Sequence, residues 1–335
     1  MYRYAIIGFG GLAKIHFSNL MKLEKERGDF ILCAICGTDP ESFQKNVSLN
    51  LGDVDMSSFD FSGCNFYTDY KELMEKEKPD FVLSTLPTFL HEEVAVYCLN
   101  HGAHVFSEKP MARTQEQCKN MAKAAEVNGK KLMIGQCLRF DPACAKVKEY
   151  IEKQTFGKAY RAEFSRYSQL PIWSWNNWLL KPDMGGGCVM DMHVHDVDLI
   201  NWFFGKPSSL RSVVTRQKED LESIFTQYFY DDLLIIANAD WSMPQTFPFE
   251  SRFLINFAEA TVVLQGGTLT VYQDDRSFSP KLSGTDYFMD EMRAFLHWVI
   301  DDVPCECITI ESVAQTIDLV LKELESAKTG ERVHF

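Results

Sequence analysis

The sequence predicts an α/β Rossmann domain followed by an α+β domain with a large, mostly antiparallel open sheet. Three observations carry this expectation. Strand-like apolar runs alternate with helical patterns through the first part of the chain, the order expected of βαβ units and a parallel sheet. A glycine-rich turn follows the first of these strands directly. After about residue 140 the texture changes to long strand-like segments with short turns, as antiparallel pairing allows.

Taken in order, Met1-Tyr2-Arg3 leads straight into the strand Tyr4–Ile7, with no signal-peptide pattern. Apolar runs at Phe30–Cys36, Asp80–Leu86, His104–Phe106 and Lys131–Ile134 alternate with helical patterns at Tyr70–Lys76, Glu92–Asn100 and Thr114–Asn128. Residues 46–65 are polar, Ser/Asp-rich, and read as a loop insertion. An amphipathic helix over Ala143–Lys153 then leads into strands at Lys158–Tyr167, Leu210–Arg216, Ile224–Ala239, Ser251–Phe257 and Thr261–Tyr272. Helices over Asp286–Asp301 and Ile310–Lys328 close the chain. The expected division is a dinucleotide-binding domain over 1–138 and a domain for substrate binding and oligomerisation over 139–335. No internal repeat interrupts this pattern.

A chain of 335 residues suits two domains. Its 46% apolar and 24% charged content is that of an ordinary globular protein. No apolar run reaches bilayer length, so no membrane partner is expected. A net charge of −13 argues against a phosphate-backbone surface and hence against nucleic acid. Cys33-x-x-Cys36 falls on a strand and points to opposite faces, and Cys305-x-Cys307 lacks a second pair at metal spacing. The ten cysteines therefore read as reduced and structural, in a cytoplasmic setting, with no metal.

Gly8-Phe9-Gly10-Gly11-Leu12-Ala13 follows the first strand and opens a helix, as G-x-G-x-x-A. The first Gly permits a tight turn, the second lets backbone approach a pyrophosphate, and Ala13 lets helix and strand pack closely. The helix N-terminus then offers unpaired N–H groups to the phosphates. Such turns also occur as plain structure; strand before, helix after and the βαβ pattern favour the dinucleotide. About 20 residues on from the loop lies Asp29, at the wrong end of the second strand for ribose recognition. At the correct end stand Gly37 and Thr38, where an NAD-specific site usually has an acid. Gly37 leaves room for a 2′-phosphate and Thr38 can donate to it, so the cofactor is NAD or NADP with a slight lean to NADP.

Glu108-Lys109-Pro110 follows a strand and so lies at the carboxyl edge of the sheet, where open α/β folds bind ligands. Gly185-Gly186-Gly187 precedes the helical run Cys188–Phe204, in which Asp191 and His195 are four apart and share a face. This pair reads as a carboxylate–imidazole dyad, a helix-surface contact or part of a metal site. His193 and Asp196 lie on other faces, which disfavours a metal centre built from this helix alone.

These motifs together resemble the glucose-fructose oxidoreductase / inositol dehydrogenase / MocA-like family over essentially the whole chain. The resemblance rests on the Gly8–Ala13 loop, on Ser84-Thr85-Leu86-Pro87-Thr88 with His91, and on Gly102 through Pro110 with Glu108-Lys109-Pro110. Arg139-Phe140 and Gly185-Gly186-Gly187 followed by Asp191-x-x-x-His195-x-x-Asp198 complete it. It implies Lys109, Asp191 and His195 as the catalytic set, which also binds substrate. It implies that Glu108, Lys109, Thr85, Leu86, Pro87 and His91 line the cofactor, and that the second-domain sheet serves a homo-oligomer, a dimer or tetramer. Two departures stand out. Gly37 replaces the usual acid, and His193 replaces a usual small residue and is expected to reshape the substrate pocket. Trp173, Trp175 and Trp178 are expected to wall that pocket, or else to pack in the core.

The implied activity is NAD(P)-dependent hydride transfer to or from a hydroxyl-bearing carbon of a sugar, cyclitol or related small polyol. His195 would take the hydroxyl proton, Asp191 would orient substrate or raise the basicity of His195, and Lys109 would stabilise developing alkoxide charge. Alternatives on the same scaffold are a non-catalytic NAD(P)-sensing regulator, disfavoured by retention of all three residues, and an NAD-dependent glycosidase.

Overall fold

The structure, a computed structural model, describes residues 1–335 apart from 40, 42, 50, 51, 173, 216–222 and 285. The chain forms two compact units, Met1–Cys137 with Asp286–Ile310, and Leu138–Thr285 with Glu311–Phe335.

The first unit runs β1 (Tyr2–Ile7), α1 (Gly11–Arg27), β2 (Phe30–Cys36), β3 (Val47–Leu49), β4 (Gly52–Val54), β5 (Asn65–Tyr67), α2 (Tyr70–Glu77), β6 (Phe81–Ser84), α3 (His91–Asn100), β7 (His104–Glu108), α4 (Gln115–Val127) and β8 (Leu132–Gly135). Six strands form one sheet in the order β5-β2-β1-β6-β7-β8, every neighbouring pair parallel. All residues of β6 and β8 are buried, which is why these strands read as unbroken apolar runs. The strand order reverses between β1 and β6, so a crevice for ligand opens at their carboxyl ends. The stretch expected to be loop over 46–65 holds the β3–β4 pair and a 3₁₀ turn at Met56–Ser58. Its anchors are aromatic: Phe59 and Phe61 pack on Phe17 of α1, with ring centroids 4.8 and 5.4 Å apart.

The second unit is built from α5 (Pro142–Glu152), β9 (Ala159–Gln169), α6 (Val194–Phe204), β10 (Ser209–Thr215), β11 (Ser223–Phe229), β12 (Leu234–Met243), β13 (Glu250–Phe257), β14 (Thr261–Gln265), β15 (Thr268–Tyr272) and β16 (Ser277–Phe278). Later in the chain come α7 (Tyr287–Asp301), which belongs to the first unit, and α8 (Ile310–Thr329) and β17 (Val333–His334) of the second. The sheet has nine strands in the order β16-β15-β14-β13-β9-β12-β11-β10-β17. Among the described residues only the central β9–β12 pair is parallel, so the sheet is mostly antiparallel. Burial alternates along β11 and β12, the mark of a sheet with one packed face. On that face Phe164, Ile235, Phe253 and Ile255 meet Val147 and Tyr150 of α5 and Leu199 and Phe203 of α6.

The continuous second domain expected over 139–335 is interrupted, because α7 belongs to the first unit. The cause is its apolar stripe. Phe295 sets its ring against Phe81 and Phe106 of the parallel sheet, at 5.8 and 5.6 Å, and Met292 and Leu296 are buried beside it. Among the described residues no helix is long and apolar enough to cross a membrane.

Candidate functional site

The glycine turn sits at the strand-order reversal. Gly8 has φ +85°, and a Cβ there would stand 3.0 Å from both the Thr85 carbonyl oxygen and Leu86 Cδ2. Thr85 Oγ1 donates to Gly8 O at 2.6 Å, Gly8 N donates to Cys36 O, and Thr85 N donates to Ile7 O. The ends of β1, β2 and β6 are thereby tied into one rim. Gly10 is the N-cap of α1; no side chain caps the helix and its first turn has no acid. A Cβ on Gly10 would meet nothing within 4 Å. The helix thus presents orphan N–H groups and its positive end to an open space. This cradle fits a dinucleotide pyrophosphate. Ala13 is fully buried, and Gly11 and Leu12 are half-buried. Phe9 offers only backbone to the turn, because its ring is held edge-on between Phe17 and Phe43 at 5.6 and 5.3 Å.

At Gly37 the structure corrects the expected role. The space where a side chain would lie is not left for a 2′-phosphate: a Cβ there would be 2.8 Å from Phe43 Cε1. Thr38 is exposed. Two lysines flank this end of the sheet: Lys14 Nζ donates to Lys45 O at 2.7 Å and lies 5.9 Å from the Phe9 ring centroid. Burial, and then the neighbouring Lys45 charge, lower the Lys14 pKa.

Thr85, Leu86 and Pro87 are half-buried at the end of β6. His91 is buried, with Nδ1 2.7 Å from Pro110 O and Nε2 2.8 Å from Leu86 O. It braces the loops after β6 and β7, with both ring nitrogens against carbonyl oxygens. Burial depresses its pKa, against the opposing pull of the two carbonyls. Glu108 is likewise turned inward: Oε1 lies 2.6 Å from His16 Nε2, and Oε2 accepts from Lys109 N at 3.1 Å. Both of its carboxylate oxygens are thus engaged by protein groups. Lys109 itself is half-buried at the carboxyl end of β7.

In the second unit Gly185 packs under the preceding segment, where a Cβ would be 2.9 Å from Leu179 Cα and 3.0 Å from Trp178 O. Trp178 is half-buried and Trp175 is 57% exposed; Trp173 lies outside the described residues. The following helix opens with one π-helical turn, Val189–His193, before α6; such widened turns recur at functional sites. Over residues 189–198 only Asp191 and His195 escape full burial. The rest are pinned. Arg166 pairs with Asp196 at 2.9 and 3.1 Å, and Arg139 grips both oxygens of Asp198 at 2.7 and 2.8 Å. His193 does not line a pocket. It is fully buried, with Nε2 3.0 Å from Glu323 Oε1, and Tyr228 donates to that same oxygen. Burial works against the imidazolium, but the Glu323 carboxylate prevails and raises the His193 pKa.

Each unit therefore gathers its own part of the expected set: the Gly8–Ala13 turn, Thr85–Pro87 and Lys109 in the first, Asp191 with His195 in the second. Sequence reasoning passed over Phe43, His16, Glu323 and Glu291. Glu291 left a legible signal, being an acid on the stripe Phe288, Met292, Phe295, Val299 of an amphipathic helix.

Residues 2–136 match the profile of an oxidoreductase family with an NAD-binding Rossmann fold, and residues 144–275 match the GFO/IDH/MocA C-terminal domain. The scyllo-inositol 2-dehydrogenase (NADP(+)) IolU of Bacillus subtilis is 25% identical over 215 residues, 63% of this chain and 61% of that protein. The 2,7-anhydro-N-acetylneuraminate hydratase of Mediterraneibacter gnavus is 23% identical over 288 residues, 84% of this chain and 70% of that protein. A levoglucosan dehydrogenase solved with NADH and levoglucosan superposes with a TM-score of 0.83 at 18% identity, covering 99% of each chain. The two profiles together span most of the chain, in the order of the two folded units, and the chain belongs to the Gfo/Idh/MocA family of oxidoreductases.

Proposed function

We propose that this protein is an NAD(P)-dependent dehydrogenase acting on a hydroxyl-bearing carbon of a sugar, cyclitol or related small polyol. The observation that carries the reading is the uncapped N-terminus of α1, opening at Gly10 onto empty space at the strand-order reversal. The motif residues Lys109, Asp191 and His195 supply the chemistry. When bound, the dinucleotide supplies the hydride acceptor or donor. Gly8–Ala13 and the Thr85–Pro87 turn hold it. His195 Nδ1 or Nε2 takes the hydroxyl proton as the C–H bond breaks. The Lys109 ammonium stabilises charge developing on that oxygen. Asp191 orients the substrate hydroxyl or His195. Trp178 offers an aromatic face to substrate C–H surfaces.

NADP is favoured over NAD. No acid stands at Gly37, and Lys14 and Lys45 place positive charge at that end of the sheet, while Phe43 takes up the space beside Gly37. The solvent-facing side of the second sheet exposes Val213, Phe225, Leu234 and Tyr272, which supports a homo-oligomer formed through it. Ten cysteines, none of them in a disulfide among the described residues, support a cytoplasmic location.

The test is a panel of polyols, sugars and cyclitols read at nicotinamide absorbance with both cofactors. Net cofactor reduction on such a substrate supports the reading, and none across the panel overturns it. A second reading, favoured by the long match to a hydratase, is a lyase- or glycosidase-like reaction with the dinucleotide tightly held. It predicts product from an anhydro-sugar or chromogenic glycoside without added cofactor and without net absorbance change.

A further inference from the structure

Three ionisable side chains meet in the interior of the first unit. They are His16 of α1, Glu108 at the end of β7 and Glu291 of α7, exposed by 0%, 6% and 0%. One polar atom from each lies within 4.8 Å of the other two. The His16 ring is walled by Phe106 and Phe288, with centroids 5.7 and 5.6 Å away. Glu108 is satisfied, by His16 on one oxygen and by the Lys109 backbone N–H on the other. Glu291 is not: neither of its carboxyl oxygens receives a hydrogen bond. A buried carboxylate without donors, beside a second carboxylate, is among the least favourable charge placements in a protein. A carboxylic acid in the same place is a donor, and the acceptor beside it is Glu108.

We infer that Glu291 is a neutral acid that donates its proton to the Glu108 carboxylate, directly or through one buried water. It thereby acts as a positioning residue that fixes the backbone of Lys109. Burial first, then the Glu108 charge and that of Cys305, push the Glu291 pKa well above the carboxylate range. The groups facing it are thus His16 from α1, Glu108 from β7 and Cys305 beyond the end of α7. The chain of contacts runs from α7 through Glu108 to Lys109 N. The consequence for catalysis rests on the proposed role of Lys109; the protonation state does not.

Two measurements on the full-length chain test this separately. Infrared difference spectroscopy of the unmodified protein against Glu291→Gln at neutral pH should show a carboxylic-acid C=O band that the variant lacks. Absence of that band overturns the inference, whatever the substrate proves to be. Turnover should survive in Glu291→Gln, whose amide N–H still donates. It should fall roughly 10- to 100-fold in Glu291→Met, the scale of lost supporting contacts, with kcat more affected than dinucleotide affinity. Equal loss in both variants overturns the donor role, as does a stoichiometric divalent metal found on elemental analysis of the unmodified protein. If Glu291→Met does not fold, the infrared band and the Glu291→Gln turnover still decide. If no polyol is turned over, the band alone decides the protonation state and only the dehydrogenase reading fails.

Discussion

Phe43 fills the space beside Gly37: a Cβ on Gly37 would stand 2.8 Å from Phe43 Cε1 and 3.1 Å from Cζ. A position that reads in sequence as an emptied ribose site is therefore a packing site. Gly37→Asp should not simply convert the protein to NAD preference. It should displace the Phe43 ring and cost about 1–3 kcal/mol, as overpacking does. Denaturant unfolding measures the cost, and titration with both cofactors measures the preference. A variant of unchanged stability with preference switched to NAD would contradict this packing.

Gly10 behaves differently, because its missing side chain points into open space and its φ of −83° suits any residue. Gly10→Val should fold with nearly unchanged thermal stability yet lose dinucleotide affinity by more than tenfold, about 1.4 kcal/mol. Calorimetric titration that found undiminished affinity would remove the pyrophosphate from this turn.

His195→Ala should cut turnover by about two to four orders of magnitude, the usual worth of a positioned base. Dinucleotide affinity should stay within error, because His195 belongs to the second unit and the glycine turn to the first. Lys109→Ala should also lower turnover. Near-normal rates in His195→Ala on the true substrate would return Asp191 and His195 to a helix-surface contact.

Glu323 raises the pKa of buried His193 above its ordinary value, about 6.5. The folded state then binds the proton more tightly than the unfolded chain. The stabilisation from this pair is complete below that ordinary value and is lost as pH rises through the folded one. His193→Gln removes this dependence. Urea unfolding at about pH 6 and about pH 9 should show the advantage of the unmodified protein over the variant shrinking on the alkaline side. A gap that widens with pH would refute the assignment of charge.

Arg139 and Asp198 form a buried, two-pronged ion pair, and Asp198 also accepts from Thr316 of α8 at 2.8 Å. Arg139→Ala strands a buried carboxylate and should cost about 3–5 kcal/mol, measured by denaturant unfolding. Because Asp198 is one turn beyond His195, turnover should fall as well. An unfolding cost below about 1 kcal/mol would place this pair with exposed ion pairs.

Local pattern in the sequence determined much about this protein. Alternating strand and helix signals determined the parallel sheet, and Gly8 through Ala13 the turn at its edge. These features depend on backbone conformation and on residues a few positions apart, so a linear reading captures them. Tertiary structure alone decided that Phe43 occupies the space at Gly37 and that His193 turns inward to Glu323. It alone decided that His91 turns inward to the Leu86 and Pro110 carbonyls and Glu108 to His16 and the Lys109 N–H, and that α7 returns to the first unit to bury Glu291 beside Glu108. Each of these depends on which side chain arrives from a distant segment to share a cavity. Periodicity sets the face a residue lies on, and packing between remote elements sets what that face meets.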